Sequence, residues 1–148
     1  MATCISNSPE ETEALGTEWG RITERGWVIG LSGELGAGKT QLVKGIARGL
    51  GIEERVHSPT FALINIYTGG RLALYHLDLY RLEKREQIEA AGLLEYLDSD
   101  GVTVIEWAER VFGSEGRPAL GPGIRYRAAR LETVSESVRR IVYEDFGD

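Results

Sequence analysis

The octapeptide Gly33-Glu34-Leu35-Gly36-Ala37-Gly38-Lys39-Thr40 narrows the folds open to this chain more than any other segment. It fits the pattern G-x-x-x-x-G-K-[ST], which the chain's own content of these residues would produce by chance roughly 0.005 times. Its surroundings fit as well. Trp27-Val28-Ile29-Gly30-Leu31 is an apolar run of strand length, and Leu42, Val43, Ile46, Ala47 and Leu50 recur afterwards at helical spacing until Gly49 and Gly51. In a strand–turn–helix setting, Gly36 and Gly38 let the backbone curl so that its N–H groups converge on an anion. The helix beginning near Lys39 aims its positive end at the same point. Lys39 has the reach to sit between β- and γ-phosphates, and Thr40 has a hydroxyl for Mg²⁺. Glu34, Leu35, Gly36, Ala37, Gly38, Lys39 and Thr40 are therefore the candidate nucleotide contacts, with a triphosphate and magnesium as the implied ligands.

The remainder is what a soluble enzyme domain needs. At about 100–200 residues per domain, 148 residues predict one domain over 1–148. Hydrophobic residues are 42% and the net charge is −6, which argues against a general nucleic-acid coat, since phosphate binding needs clustered positive charge. No apolar run approaches the roughly 20 residues of a membrane span. Glutamates crowd the first 25 positions, unlike a secretory leader, and the lone Cys4 suits a reducing compartment, so the cytoplasm is expected. Ser8-Pro9-Glu10-Glu11 predicts a helix start with Ser8 as cap, and Gly26 its end. Residues 61–67 and 72–77 read as a β-hairpin, 84–97 as a helix broken near Gly92, and 102–105 as a buried strand. Residues 113–123 read as a loop, followed by strands over 124–131 and 138–143.

A triphosphate loop requires an acid at a strand end, and two are available. Asp78 follows Leu72–Leu77, and Glu106 follows Val102–Ile105. Asp is the shorter, more usual partner of magnesium water; Glu reaches far enough to orient or deprotonate a water. The residues alone leave the choice open. Neither Asn7 nor Asn65 begins an N-K-x-D guanine signature, so ATP is favoured over GTP. Pro59 holds Ser58 extended, so that Ser58 and Thr60 offer two hydroxyls on a non-helical segment. Trp107 reads as core or as a platform. His57 and His76 have no partner visible in sequence and are left outside the site. Arg125, Arg127, Arg130, Arg139 and Arg140 face only Glu132 and Glu136 in their stretch, as a solvated edge or as a surface for an acidic partner or tRNA.

Four blocks in order, Gly33–Thr40, Ser58-Pro59-Thr60-Phe61, His76-Leu77-Asp78-Leu79-Tyr80-Arg81-Leu82 and Ile105-Glu106-Trp107-Ala108-Glu109-Arg110, resemble the TsaE (YjeE) family of bacterial ATPases in tRNA threonylcarbamoyladenosine biosynthesis. The resemblance covers about residues 8–112. It implies an α/β fold, a single P-loop NTPase-like domain whose sheet is mainly parallel at the centre with antiparallel edge strands and helices on both faces. It implies Mg²⁺ on Thr40 and Asp78, Glu106 at the metal side acting on the hydrolytic water, and Trp107 on the nucleotide side. Ser58 and Thr60 would lie on a switch-like loop. ATP hydrolysis would support repeated threonylcarbamoyl transfer by TsaD with TsaB, with tRNA met through that complex. Two alternatives share the loop. A small-molecule kinase would use Arg81 and Arg85 on the transferred charge and residues 113–123 as a lid. A non-catalytic sensor would use ATP only to switch a contact surface.

Overall fold

The structure is a computed structural model that describes residues 1–59, 63–112 and 124–147. In chain order its elements are β1 (Ala2–Ser6), α1 (Pro9–Ile22), β2 (Val28–Ser32), α2 (Lys39–Gly49), β3 (Ile64–Tyr67) and β4 (Leu74–Asp78). There follow α3 (Arg85–Ala90), a 3-10 turn at Leu93–Leu97, β5 (Val102–Glu106), α4 (Glu109–Phe112), β6 (Tyr126–Thr133) and β7 (Arg139–Phe146). The seven strands form one mixed sheet in the order β1-β7-β6-β2-β5-β4-β3. β6, β2, β5 and β4 run parallel at its centre; β3 on one side and β7 on the other run against them, and β1 pairs antiparallel with β7.

Strand alternation divides the core into two layers. Ile29 and Leu31 of β2 and Val102 and Val104 of β5 join Trp19 of α1 and Leu42, Val43 and Ile46 of α2 on one face. Val28 and Ile105 face the other way, toward Ile88 of α3, Leu93 and Val111 of α4. Helices thus cover both faces. β5 is buried along its whole length, as its unbroken apolar run predicts for a central parallel strand.

Most expected boundaries hold within a few residues. α1 begins where Ser8 caps it, its side chain accepting from the Glu11 N–H, with Pro9 in the first turn. It stops at Ile22, before the expected Gly26, and Gly26 instead makes the turn into β2 with φ +90°. Gly92, at φ +75°, breaks the 84–97 segment as expected. Gly49 lies inside α2, and Gly51 at φ +82° provides the stop. β1 and the short α4 were not foreseen. Among the described residues no helix is long and apolar enough to cross a membrane. The expected loop over 113–123, and the first residues of the hairpin at Phe61 and Ala62, lie outside the described residues.

Candidate functional site

The parallel pairing of β4 with β5 brings the two candidate acids together. Its register sets Asp78 opposite Glu106, and β2 pairs Leu31 with Glu106 on the other side. All three strands therefore end at one edge, where the Gly33–Thr40 turn leaves β2 and enters α2. Open α/β sheets bind ligands at this carboxyl-terminal edge. Gly33, Gly36 and Gly38 have φ of +138°, +82° and +101°, and Gly38 is the residue immediately before α2. At Gly33 a Cβ would lie 2.4 Å from the Leu131 carbonyl oxygen, so a glycine is required there twice over. The first N–H groups of α2 have no intrahelical acceptors and point toward the turn.

Thr40, in the first turn of α2, is the hub. Its Oγ1 lies 3.0 Å from each oxygen of the Glu106 carboxylate and 3.0 Å from Ser58 Oγ. Ser58 is thereby brought into the site across 18 residues of chain. Thr60, expected beside it, lies outside the described residues. Asp78 accepts the Tyr80 backbone N–H at 3.0 Å. Burial raises its pKa, and the Glu106 charge adds to the effect against the opposing pull of the Tyr80 N–H, His76 and Lys39. Lys39 is buried, and its Nζ donates to the Gly33 and Glu34 carbonyls at 2.6 and 2.9 Å. It also sits 4.0 Å from the centroid of the Trp107 ring. Burial draws its pKa below the ordinary lysine value, opposed by Glu106, Glu109, Asp78 and Glu34. Trp107 holds φ +61°, a conformation that non-glycine residues rarely adopt and that clusters at functional sites. Its ring also meets Tyr80 at 5.1 Å. Glu34, Leu35 and Gly36 are exposed on the turn, whereas Ala37 is buried beneath it.

The donors gathered here are two carboxylates and two hydroxyls, all hard oxygen ligands of the kind magnesium takes. Among the described residues no group of three or more His, Cys, Asp or Glu side chains is arranged to hold a metal by itself. That donor set fits Mg²⁺, which keeps several waters and draws its remaining ligands from substrate phosphates. A cavity of about 500 Å³ opens nearby, walled by Gly33, Glu34, Trp107 and Tyr126 among others, but not by Lys39, Thr40 or Glu106. The cluster, with its named geometry, is the better guide to the chemistry than the larger void.

Three readings of the sequence change. His76, left outside the site, is fully buried and its Nε2 lies 2.6 Å from Glu106 Oε2. The signal was present but faint: His76 and Asp78 are two apart on a strand, and so share a face. Arg127 is no surface group; it is buried and bonded to Asp145 at 2.6 and 2.8 Å. Arg85, which a kinase would aim at transferred phosphate, donates instead to the Val111 carbonyl and pairs with Glu89. Trp107 is half-buried at the rim, and His57 is exposed.

A family model described as threonylcarbamoyl adenosine biosynthesis protein TsaE matches residues 6–139. Proteins named tRNA threonylcarbamoyladenosine biosynthesis protein TsaE are similar in sequence. That of Treponema pallidum is 51% identical over 73% of this chain and 79% of its own length. That of Bacillus subtilis is 46% identical over 70% of this chain and 65% of its own length. That of Mycobacterium tuberculosis is 37% identical over 93% and 83%. The crystal structure of Bacillus subtilis YdiB superposes with a TM-score of 0.76 at 32% identity, covering 96% of this chain and 83% of that one. The family match extends past residue 112 into β7, further than the four sequence blocks reach.

Proposed function

Since the chain belongs to the TsaE family of threonylcarbamoyl adenosine biosynthesis proteins, we propose that it is the magnesium-dependent ATPase of a tRNA-modifying machinery, built as one P-loop NTPase-like domain over residues 1–148. The observation that carries this reading is the meeting of Thr40 with Ser58 and Glu106, beside Asp78, at the start of α2.

The residues divide the work. Backbone N–H groups of residues 34–40 and the α2 N-terminus hold the phosphates of ATP. Lys39 exchanges its loop carbonyls for the β- and γ-phosphates, an exchange eased by its partial desolvation. Thr40 and Asp78 would hold Mg²⁺, with Glu106 beside its waters, and the bound ion would supply positive charge to the phosphate oxygens. Glu106 orients a water for in-line attack on the γ-phosphorus and takes its proton as the bond to the β-phosphate oxygen breaks, giving ADP and phosphate. Trp107 closes the nucleotide side against Lys39. A cation on the Thr40 oxygen would compete with the Ser58 hydroxyl for its lone pairs, since the one Thr40 hydrogen goes to Glu106. Ser58 would thus respond to the bound state, and the same switch-like role is assigned to Thr60. The partners of that response are TsaB and TsaD in the cytoplasm, with tRNA engaged through them.

Phosphate release by wild type and by Glu106→Gln, each with Mg·ATP, tests this assignment. Glu106→Gln should bind ADP as wild type does and hydrolyse ATP on the order of 100-fold more slowly. Equal rates in the two proteins would remove Glu106 from the chemistry. A non-catalytic sensor would instead bind nucleotide and show no turnover in either protein.

A further inference from the structure

We propose that His76 is a positioning residue that fixes the Glu106 carboxylate for its work on water; the inference rests on the reading of Glu106 given above.

His76 is out of place in its layer. On β4, alternation puts it on the face of Leu74, and its register partner on β5 is Val104. Both neighbours are fully buried and apolar, and both belong to the core beneath α1 and α2. A side chain chosen for packing alone at this position would be aliphatic. The imidazole is as buried as its neighbours, yet only one of its nitrogens is used. Nε2 lies 2.6 Å from Glu106 Oε2, and because a carboxylate only accepts, Nε2 donates. Nδ1 is buried with no hydrogen-bond partner among the described groups. A histidine kept to satisfy the core would pair both nitrogens, since an orphaned buried polar atom destabilises. The half-paired arrangement makes sense if the single bond to Glu106 is what the position provides.

The need for that bond follows from Thr40. Glu106 is held from two sides, by the Thr40 hydroxyl and by His76. Asp78, opposite it in register, repels it and supplies no hydrogen. The Thr40 hydroxyl has a single hydrogen, spread over both carboxylate oxygens at 3.0 Å each, so that anchor fixes neither of them. His76 then remains as the donor on Oε2, keeping one carboxylate oxygen fixed and the other turned toward the α2 start. Groups behind a reacting carboxylate or metal ligand act in this way, and their loss costs about 10–100-fold in activity or affinity.

The test compares His76→Leu, which fills the space without a donor, with His76→Gln, whose side-chain amide restores one. Steady-state Mg·ATP hydrolysis, equilibrium ADP binding and thermal unfolding are measured for both, alongside Glu106→Gln. The expected result is a fall in kcat of about 10-fold or more in His76→Leu, with ADP affinity and melting temperature close to wild type, and substantial recovery in His76→Gln. If kcat in His76→Leu stays within twofold of wild type while Glu106→Gln is inactive, His76 does not position Glu106. A parallel loss of kcat, ADP affinity and melting temperature, unrelieved by His76→Gln, would make the residue structural and overturn the inference. Wild-type turnover in Glu106→Gln would instead defeat the underlying assignment, and His76 with it.

Discussion

Arg127 is enclosed by three aromatic rings, with its guanidinium carbon 4.8 Å from the Trp19 centroid, 4.6 Å from that of Tyr143 and 5.5 Å from that of Trp27. Its remaining valences go to Asp145 as a two-point hydrogen-bonded pair. That bond, helped by the Arg127 and Arg125 charges, holds the Asp145 pKa below the usual carboxylate range. A carboxylate with a lowered folded-state pKa binds fewer protons folded than unfolded. Its stabilisation is therefore complete above the unfolded value of about 3.9 and is lost as pH falls through the lowered folded value. Asp145→Asn should lower stability near pH 7 by about 2 kcal/mol and flatten the acid limb of a stability-against-pH curve. Urea unfolding at pH 7 and across the acid range checks both, and an unaltered acid limb would show that the pair carries no linkage. At this scale the sequence was an uneven guide. Lys39 and Thr40 were legible because the glycine turn that carries them, Gly33–Thr40, is contiguous in sequence. Arg127 and His76 were not, because their partners, Asp145 and Glu106, arrive from strands 18 and 30 residues away.

α1 and α2 approach until their backbones touch. A Cβ at Gly16 would lie 2.3 Å from the Leu42 carbonyl oxygen, and one at Gly45 would lie 2.1 Å from that of Glu13. Gly20 and Gly49 make the same contact one turn further on, with the Ile46 and Thr17 oxygens at 2.2 Å. The four glycines form two four-residue repeats facing each other, and the obstacle in each case is backbone, which cannot rotate aside. Alanine in a helix is ordinarily favoured over glycine by about 1 kcal/mol. Here Gly45→Ala should reverse that sign and destabilise by about 2 kcal/mol, because the helices must separate. A fall in melting temperature of about 4–8 °C is expected for a chain of this size, and a rise would refute the contact. Because α2 begins at Lys39 and Thr40, ATP affinity should fall in the same variant. Helix periodicity announced α1 and α2 from their apolar faces, but single-chain patterns treat glycine as a weakness of either helix alone. The contact that explains it exists only between them. β1 escaped notice for a related reason: a five-residue edge strand with exposed alternate positions has little apolar pattern of its own.

Over the whole molecule, the strand order does what no single element can. Two acids 28 positions apart in sequence become lateral neighbours because β4 and β5 are adjacent and parallel, and β2 delivers the glycine turn to the same edge. The parallel centre was implied by the family resemblance, while the strands themselves were readable from the apolar runs 27–31 and 102–105, and the hairpin of β3 and β4 from Thr68-Gly69-Gly70-Arg71. The order of strands across the sheet was not, since apolar runs say that a strand is central without saying which strand lies beside it. The order is also what brings both candidate acids, Asp78 and Glu106, to one edge. The central question is therefore whether this edge hydrolyses ATP in response to its partners. The deciding measurement is the steady-state rate of Mg·ATP hydrolysis with and without an active TsaB–TsaD pair, for wild type and Lys39→Ala. A slow basal rate, stimulation by the pair, and a loss on the order of 100-fold in Lys39→Ala are expected. A wild-type rate indifferent to an active pair, or a Lys39→Ala protein as fast as wild type, would contradict this reading.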